Sequence, residues 1–179
     1  FIHMKDDDVT AQNFNISVAI TDDFMGAVEQ DAQWNLVDPH TEEVVHTVPA
    51  RQLWEDIITS AWKTGDPGLY FIDEANRHNP TPHLGRLEST NPCGEVPLLA
   101  NEACNLGSIN LAHFVHEDGG FDFDGLDKIS RICARFLDNV VTVNKFPVQA
   151  VADAVAATRK TGLGVMGWHD VLIKMGIPY

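Results

Sequence analysis

The sequence predicts an α/β fold with largely parallel strands. Three observations point to it. Short stretches rich in β-branched residues alternate with amphipathic stretches of helical period along the whole chain. Glycine and proline fall mainly between these stretches. The longest irregular segment, residues 74–95, follows a strand-like run, where such folds carry functional loops.

Each element has its own reason. "NFNISVAIT" (residues 13–21) mixes β-branched residues with alternation and predicts a strand. Asp22 and Asp23 then cap a helix through "FMGAVEQDAQW". "WNLVDPHTEEVVHTVP" predicts two short strands about a turn at Asp38-Pro39. In "ARQLWEDIITSAWKTG", Leu53, Trp54, Ile57, Ile58 and Ala61 recur at helical spacing, and Gly65 ends the helix. "GLYFID" (residues 68–73) reads as a buried strand. The loop after it holds three prolines, two glycines and three asparagines, too many for a long regular element.

"LGSINLAHFV" predicts a strand running into a short helix. "FDGLDKISRICARFLDNVVTVNKF" predicts a long amphipathic helix with Leu126, Ile129, Ile132, Cys133, Phe136, Leu137 and Val140 on one face. Cys133 on that stripe is a packing residue. Pro147 opens a further helix over residues 148–160. The glycines of "TGLGVMGW" predict a strand end or a close backbone approach, and "HDVLIKMG" a final helix.

Composition excludes some functions. The 179 residues carry a formal net charge of −14, with no Lys/Arg surface rich enough to grip nucleic acid broadly. No apolar run is long enough to span a bilayer. Three cysteines is an odd and small number, which argues against a disulfide-stapled secreted domain and for a reducing, cytoplasmic setting. The chain lacks an initiator methionine, begins as if a helix were already under way and stops just after a glycine. It is expected to be an internal piece of a longer protein.

The chemistry concentrates in Asn91-Pro92-Cys93-Gly94-Glu95. In an extended segment Asn91, Cys93 and Glu95 would project to one side and share a cavity. Pro92 stiffens the approach and Gly94 leaves room for a ligand against the backbone. A thiol can give up a hydrogen atom, a carboxylate can act as a base, and an amide can donate and accept hydrogen bonds. A carboxylate close to Cys93 disfavours the thiolate, which suits a neutral S–H donor better than a nucleophile. The competing reading is a non-catalytic zinc module built from His78, His83, Cys93 and Cys104. The 11-position separation of the two cysteines is much wider than the usual zinc clip.

"STNPCGEVPLLANEACNLGSINLAHF" resembles the finger-loop region of ribonucleotide reductase large subunits. Its NPCGE form is similar to the adenosylcobalamin-dependent class II enzymes, whereas class I chains tend to read N-L-C-x-E there. "NFNISVAITDDFMGAVE", "GDPGLYFIDEANRHNP" and "TGLGVMGWHDVLIKMGIPY" resemble the same family in the same order, so the likeness covers essentially the whole chain.

The resemblance implies the fold: residues 1–179 as a single partial catalytic domain, part of a ten-stranded α/β barrel with its finger loop at about residues 85–105. It implies thiyl-radical reduction of ribonucleotides to deoxyribonucleotides. Cys93 would abstract the ribose 3′ hydrogen, Glu95 would take the 3′-OH proton, and Asn91 would bond the ribose hydroxyls. Pro92 and Gly94 would complete the substrate-binding residues. Cys104 would be one of a redox pair whose partner lies upstream. The resemblance also implies adenosylcobalamin as cofactor, a ribonucleotide substrate, a thioredoxin-type reductant, nucleotide effectors and a homodimer for the full-length protein, with no metal, nucleic acid or membrane. The alternative within the family is a class I chain with a separate radical-generating subunit. A partial barrel would expose open edges and apolar faces.

Overall fold

A computed structural model describes residues 1–7 and 9–179. The chain divides into two compact units, Phe1–Ala100 and Asn101–Tyr179.

In the first unit, β1 (Ser17–Ile20) lies parallel to β4 (Gly68–Phe71), with Ser17 opposite Gly68 and Ile20 opposite Phe71. Between them run α1 (Asp22–Glu29), the antiparallel hairpin of β2 (Gln33–Val37) and β3 (Val44–Pro49), and α2 (Ala50–Thr64). The hairpin turns at Asp38, whose carboxylate accepts from the His40 and Thr41 amides and is held below its ordinary range by them. Gly65 ends α2 in the left-handed region that glycine favours, at φ 85°.

The core of this unit is Ile20, Phe24, Val28, Ala50 and Ile57, with Trp34, Leu53 and Trp54 packed against it. Phe24 meets Trp34 edge-on at 5.2 Å, a geometry aromatic pairs prefer. The apolar stripe expected on α2 is only partly used: Ile57 is buried, whereas Ile58 is exposed.

Three boundaries differ from the sequence reading. The side chain of Thr21, not of Asp22 or Asp23, caps α1 by accepting from the Phe24 amide. The helix stops at Glu29, and Trp34, expected in it, lies in β2, because the chain turns through Asp31 at φ 54°. The strand at residue 68 ends at Phe71, and Ile72 opens the short helix α3 (Ile72–Arg77), so the loop expected from residue 74 begins after Arg77. Arg77 holds that turn by pairing with Glu74 and with Asp22.

In the second unit, β7 (Asn105–Asn110) lies parallel to β8 (Thr161–Met166), Asn105 opposite Thr161 and Asn110 opposite Met166. The strand β7 enters a 3-10 turn at Leu111–Phe114, as expected. The crossover consists of α4 (Phe123–Val143) and α5 (Gln149–Thr158), and α6 (Trp168–Met175) follows β8. Leu137 and Val141 are the buried residues of α4, and a Cβ at Gly107 of β7 would touch Leu137 at 3.6 Å. The long stripe predicted on α4 therefore splits. Leu126, Cys133 and Val140 are half-buried, and Ile129, Ile132 and Phe136 face solvent.

Among the described residues the strands form four two-stranded ribbons and no closed barrel. The remaining pair joins β5 (Ser89–Thr90), inside the segment read as loop, to β6 (Pro97–Leu98), just after it.

The close approach predicted near the glycines is real. Gly167 sits at φ 71°, and an added Cβ would collide with Asn110 Oδ1, which accepts from the Ala112 amide at 3.1 Å. Gly167→Ala in the full-length protein is expected to cost about 2 kcal/mol. Denaturant unfolding checks this, and an unchanged midpoint would contradict it.

Candidate active site

The candidate residues begin on a hairpin. Ser89 pairs with Leu98 and Thr90 with Pro97, and the Glu88 amide bonds Leu98 O at 2.9 Å. The six residues 91–96 then form the tip. Gly94 N donates to Asn91 O at 3.0 Å, closing a four-residue turn with Pro92 and Cys93 at its centre. Proline fixes the first central position of such a turn, and Gly94 follows at φ 86°, where a side chain would be strained. The segment is thus a tight turn and not the extended run that would project Asn91, Cys93 and Glu95 to one side by alternation.

Asn91 is the clamp of this tip. Its Oδ1 accepts from Val96 N at 2.9 Å, and its own amide donates to Val96 O at 3.3 Å. The Nδ2 donors are the end of this side chain left for a ligand. Cys93 and Glu95 are exposed on the tip, and Asn91 is half-buried. Asn91→Ala should therefore free the Val96 amide, which is expected to exchange with solvent about tenfold faster. Asn91→Asp keeps the acceptor and should leave that exchange near its original rate. Hydrogen exchange at Val96 measures both, and equal protection in Asn91→Ala would remove the clamp from the account.

The turn borders an open cavity of about 470 Å³, lined by Asn91 and Pro92 together with Asn13, Asn15, Ser17 and Tyr70, among others. Asn15 Nδ2 donates to Pro92 O at 2.9 Å and so ties the segment before β1 to the turn. The Tyr70 hydroxyl is buried without a hydrogen-bond partner among the described residues, and burial pushes its pKa up. Sequence reasoning did not single out Asn15 or Tyr70. The signal available for Asn15 was its place beside Asn13 just ahead of a strand. Tyr70 looked like any alternating strand residue.

Cys104 lies in the second unit, half-buried, immediately before β7. It borders a small hollow of about 30 Å³ with Val140, Val141, Phe146 and Val155. Two positions before it in sequence, the Glu102 side chain is only 1% exposed and is paired with Lys160 at 2.5 Å. Cys93 and Cys133 are free thiols. Among the described residues no three His, Cys, Asp or Glu side chains gather as a metal-holding group, which counts against the zinc module from His78, His83, Cys93 and Cys104. No helix among those residues is long and apolar enough to cross a membrane.

Comparison with known proteins gives a consistent result. The vitamin B12-dependent ribonucleoside-diphosphate reductase of Thermoplasma acidophilum is 51% identical over 100% of this chain, which spans 23% of that protein. The enzyme of the same name from Mycobacterium tuberculosis is 50% identical over 93% of this chain, which spans 24% of it. A vitamin B12-dependent ribonucleotide reductase of Bradyrhizobium diazoefficiens is 38% identical over 96% of this chain, which spans 14% of it. The chain thus spans at most about a quarter of the length of these relatives. The family described as the ribonucleotide reductase barrel domain matches residues 1–179, and the chain belongs to that family.

Proposed function

We propose that this chain carries the catalytic loop of an adenosylcobalamin-dependent ribonucleoside-diphosphate reductase, which converts ribonucleotides to deoxyribonucleotides by thiyl-radical chemistry. The observation that carries the reading is the match of the family over the whole chain, together with Asn91, Cys93 and Glu95 on one ligand-accessible tip. The relatives, vitamin B12-dependent ribonucleoside-diphosphate reductases, favour the vitamin B12-dependent form over a class I chain, and the diphosphate as substrate.

The residues divide the chemistry. Cys93, at the centre of the turn, loses its S–H hydrogen and then takes the 3′ hydrogen of the ribose. Glu95 accepts the 3′-OH proton as a general base. Asn91 donates through Nδ2 to a ribose hydroxyl while its Oδ1 keeps the tip closed. Cys104 supplies one of two thiols that reduce the substrate and end as a disulfide.

Adenosylcobalamin, when bound, supplies the radical equivalent that a thiol needs to lose a hydrogen atom. The donor set here fits that requirement, because Cys93 is a free, exposed thiol on a fixed turn. Cys93 is the group through which this chain would engage the cofactor. In the full-length protein the reading extends to a thioredoxin-type reductant, nucleotide effectors, a homodimer and a cytoplasmic setting.

The test is made on the full-length protein with a ribonucleoside diphosphate, adenosylcobalamin and dithiothreitol. Deoxynucleotide should accumulate, and Glu95→Gln, which keeps shape but removes the base, should slow it by about a hundredfold or more. No product from the unsubstituted protein, or full turnover by Glu95→Gln, would contradict the reading.

A further inference from the structure

We propose that Asn15 is a positioning residue for Cys93: by donating to Pro92 O it fixes the peptide that carries the Cys93 nitrogen, and with it the direction in which the thiol points. The inference deepens the reading of Cys93 as the hydrogen-abstracting residue and rests on it.

Three observations converge. First, the turn is of a kind in which one peptide decides the aim of the third residue. Asn91, Pro92, Cys93 and Gly94 occupy its four positions, closed by Gly94 N on Asn91 O at 3.0 Å. Asparagine first, proline second and glycine fourth favour the type I form, and Cys93 keeps the negative φ that this form requires. The type I and type II forms differ by rotation of the central peptide, here Pro92–Cys93, and type II puts the third residue at positive φ. Second, that peptide has a partner. Asn15 Nδ2 donates to Pro92 O at 2.9 Å, across 77 positions of sequence. Third, Asn15 stands on a fixed base. It lies two residues ahead of β1, and the residue between them, Ile16, accepts from the Gly68 amide at 2.9 Å where the ladder of β1 and β4 begins.

The bonds that close the hairpin do not involve Asn15. Gly94 N is held by Asn91 O and Val96 N by Asn91 Oδ1, and strand pairing continues at Thr90 and Pro97. Loss of the Asn15 donor should therefore leave the hairpin folded and free only its central peptide to rock. Asn15 is itself exposed, and it lines the open cavity together with Asn91 and Pro92. In the hydrogen transfer the thiyl radical forms an S–H bond as the C3′–H bond breaks, and the unpaired electron passes to C3′. That step depends on the distance and angle between sulfur and hydrogen, and a misplacement of about 1 Å can cost about a hundredfold in rate. Asn15 acts on that geometry through the Pro92–Cys93 peptide.

The test uses the full-length protein with its cysteines labelled with nitrogen-15, so that NMR reads the Cys93 amide, its cross-peak assigned by loss in Cys93→Ser. Asn15→Ala removes the donor. The Cys93 cross-peak should move while those of Cys104 and Cys133 stay. In the same variant kcat should fall about tenfold or more and KM should stay within about twofold, while exchange of the Val96 amide keeps its rate. Asn15→Gln retains an amide donor on an exposed side chain and should recover most of the lost rate. Should Asn15→Ala fail to fold, Asn15→Asp, which keeps the shape and loses the donor, is read in its place. A Cys93 cross-peak that stays put, an unchanged kcat, or a loss in Asn15→Gln as deep as in Asn15→Ala would overturn the proposal. Faster Val96 exchange in Asn15→Ala would also overturn it, because Asn15 would then merely hold the hairpin together. The cross-peak needs no turnover, so it decides the tether separately from the reading of Cys93, which fails if Cys93→Ser stays active.

Discussion

Replacing Cys93 with serine in the full-length protein is expected to abolish cleavage of the substrate 3′ C–H bond. Serine is close in size and its hydroxyl can still hydrogen-bond, so the turn closed by Gly94 N on Asn91 O should survive. The O–H bond is much stronger than S–H, so the side chain no longer yields its hydrogen atom. Turnover should fall below about a thousandth of the original, a barrier increase above about 4 kcal/mol. Steady-state assay of deoxynucleotide measures it. A variant that keeps a tenth of its activity would show that Cys93 is not the hydrogen-abstracting group.

Cys104→Ser is expected to fail in a different way. On the proposed assignment Cys93 and its hairpin are untouched, so the 3′ hydrogen should still be removed. The substrate radical then lacks one of its two reducing thiols and decomposes with release of the base. Net reduction should again fall by about a thousandfold, while free base accumulates. High-performance liquid chromatography of the nucleobase separates this outcome from the Cys93 variant, which should release none.

The parts legible in the sequence were those governed by local pattern. Gly65 marked the end of α2 because a left-handed cap favours glycine. The hairpin at Asp38-Pro39 and the strand running into a short turn at Leu111–Phe114 followed from turn chemistry and alternation. Periodicity also placed α4, yet it overstated the buried face. Ile129, Ile132 and Phe136 share the helical repeat with Leu137, but burial depends on what lies opposite, which periodicity does not encode.

The candidate site shows the same division. The residue types at Asn91, Cys93 and Glu95 were readable, because their chemistry is local. Their arrangement was not: a proline and a glycine flanking Cys93 build a turn, and the Asn91 side chain closes it on Val96. The Asn15 bond to Pro92, 77 positions away in sequence, arises only from tertiary placement.

The most direct test of the central claim is 3′-tritium washout from [3′-³H]-labelled ribonucleoside diphosphate, measured side by side in the two cysteine variants of the full-length protein. The account predicts washout with base release from Cys104→Ser and neither from Cys93→Ser. Washout from Cys93→Ser with none from Cys104→Ser would reverse the two roles and contradict the assignment of Cys93 as the radical residue.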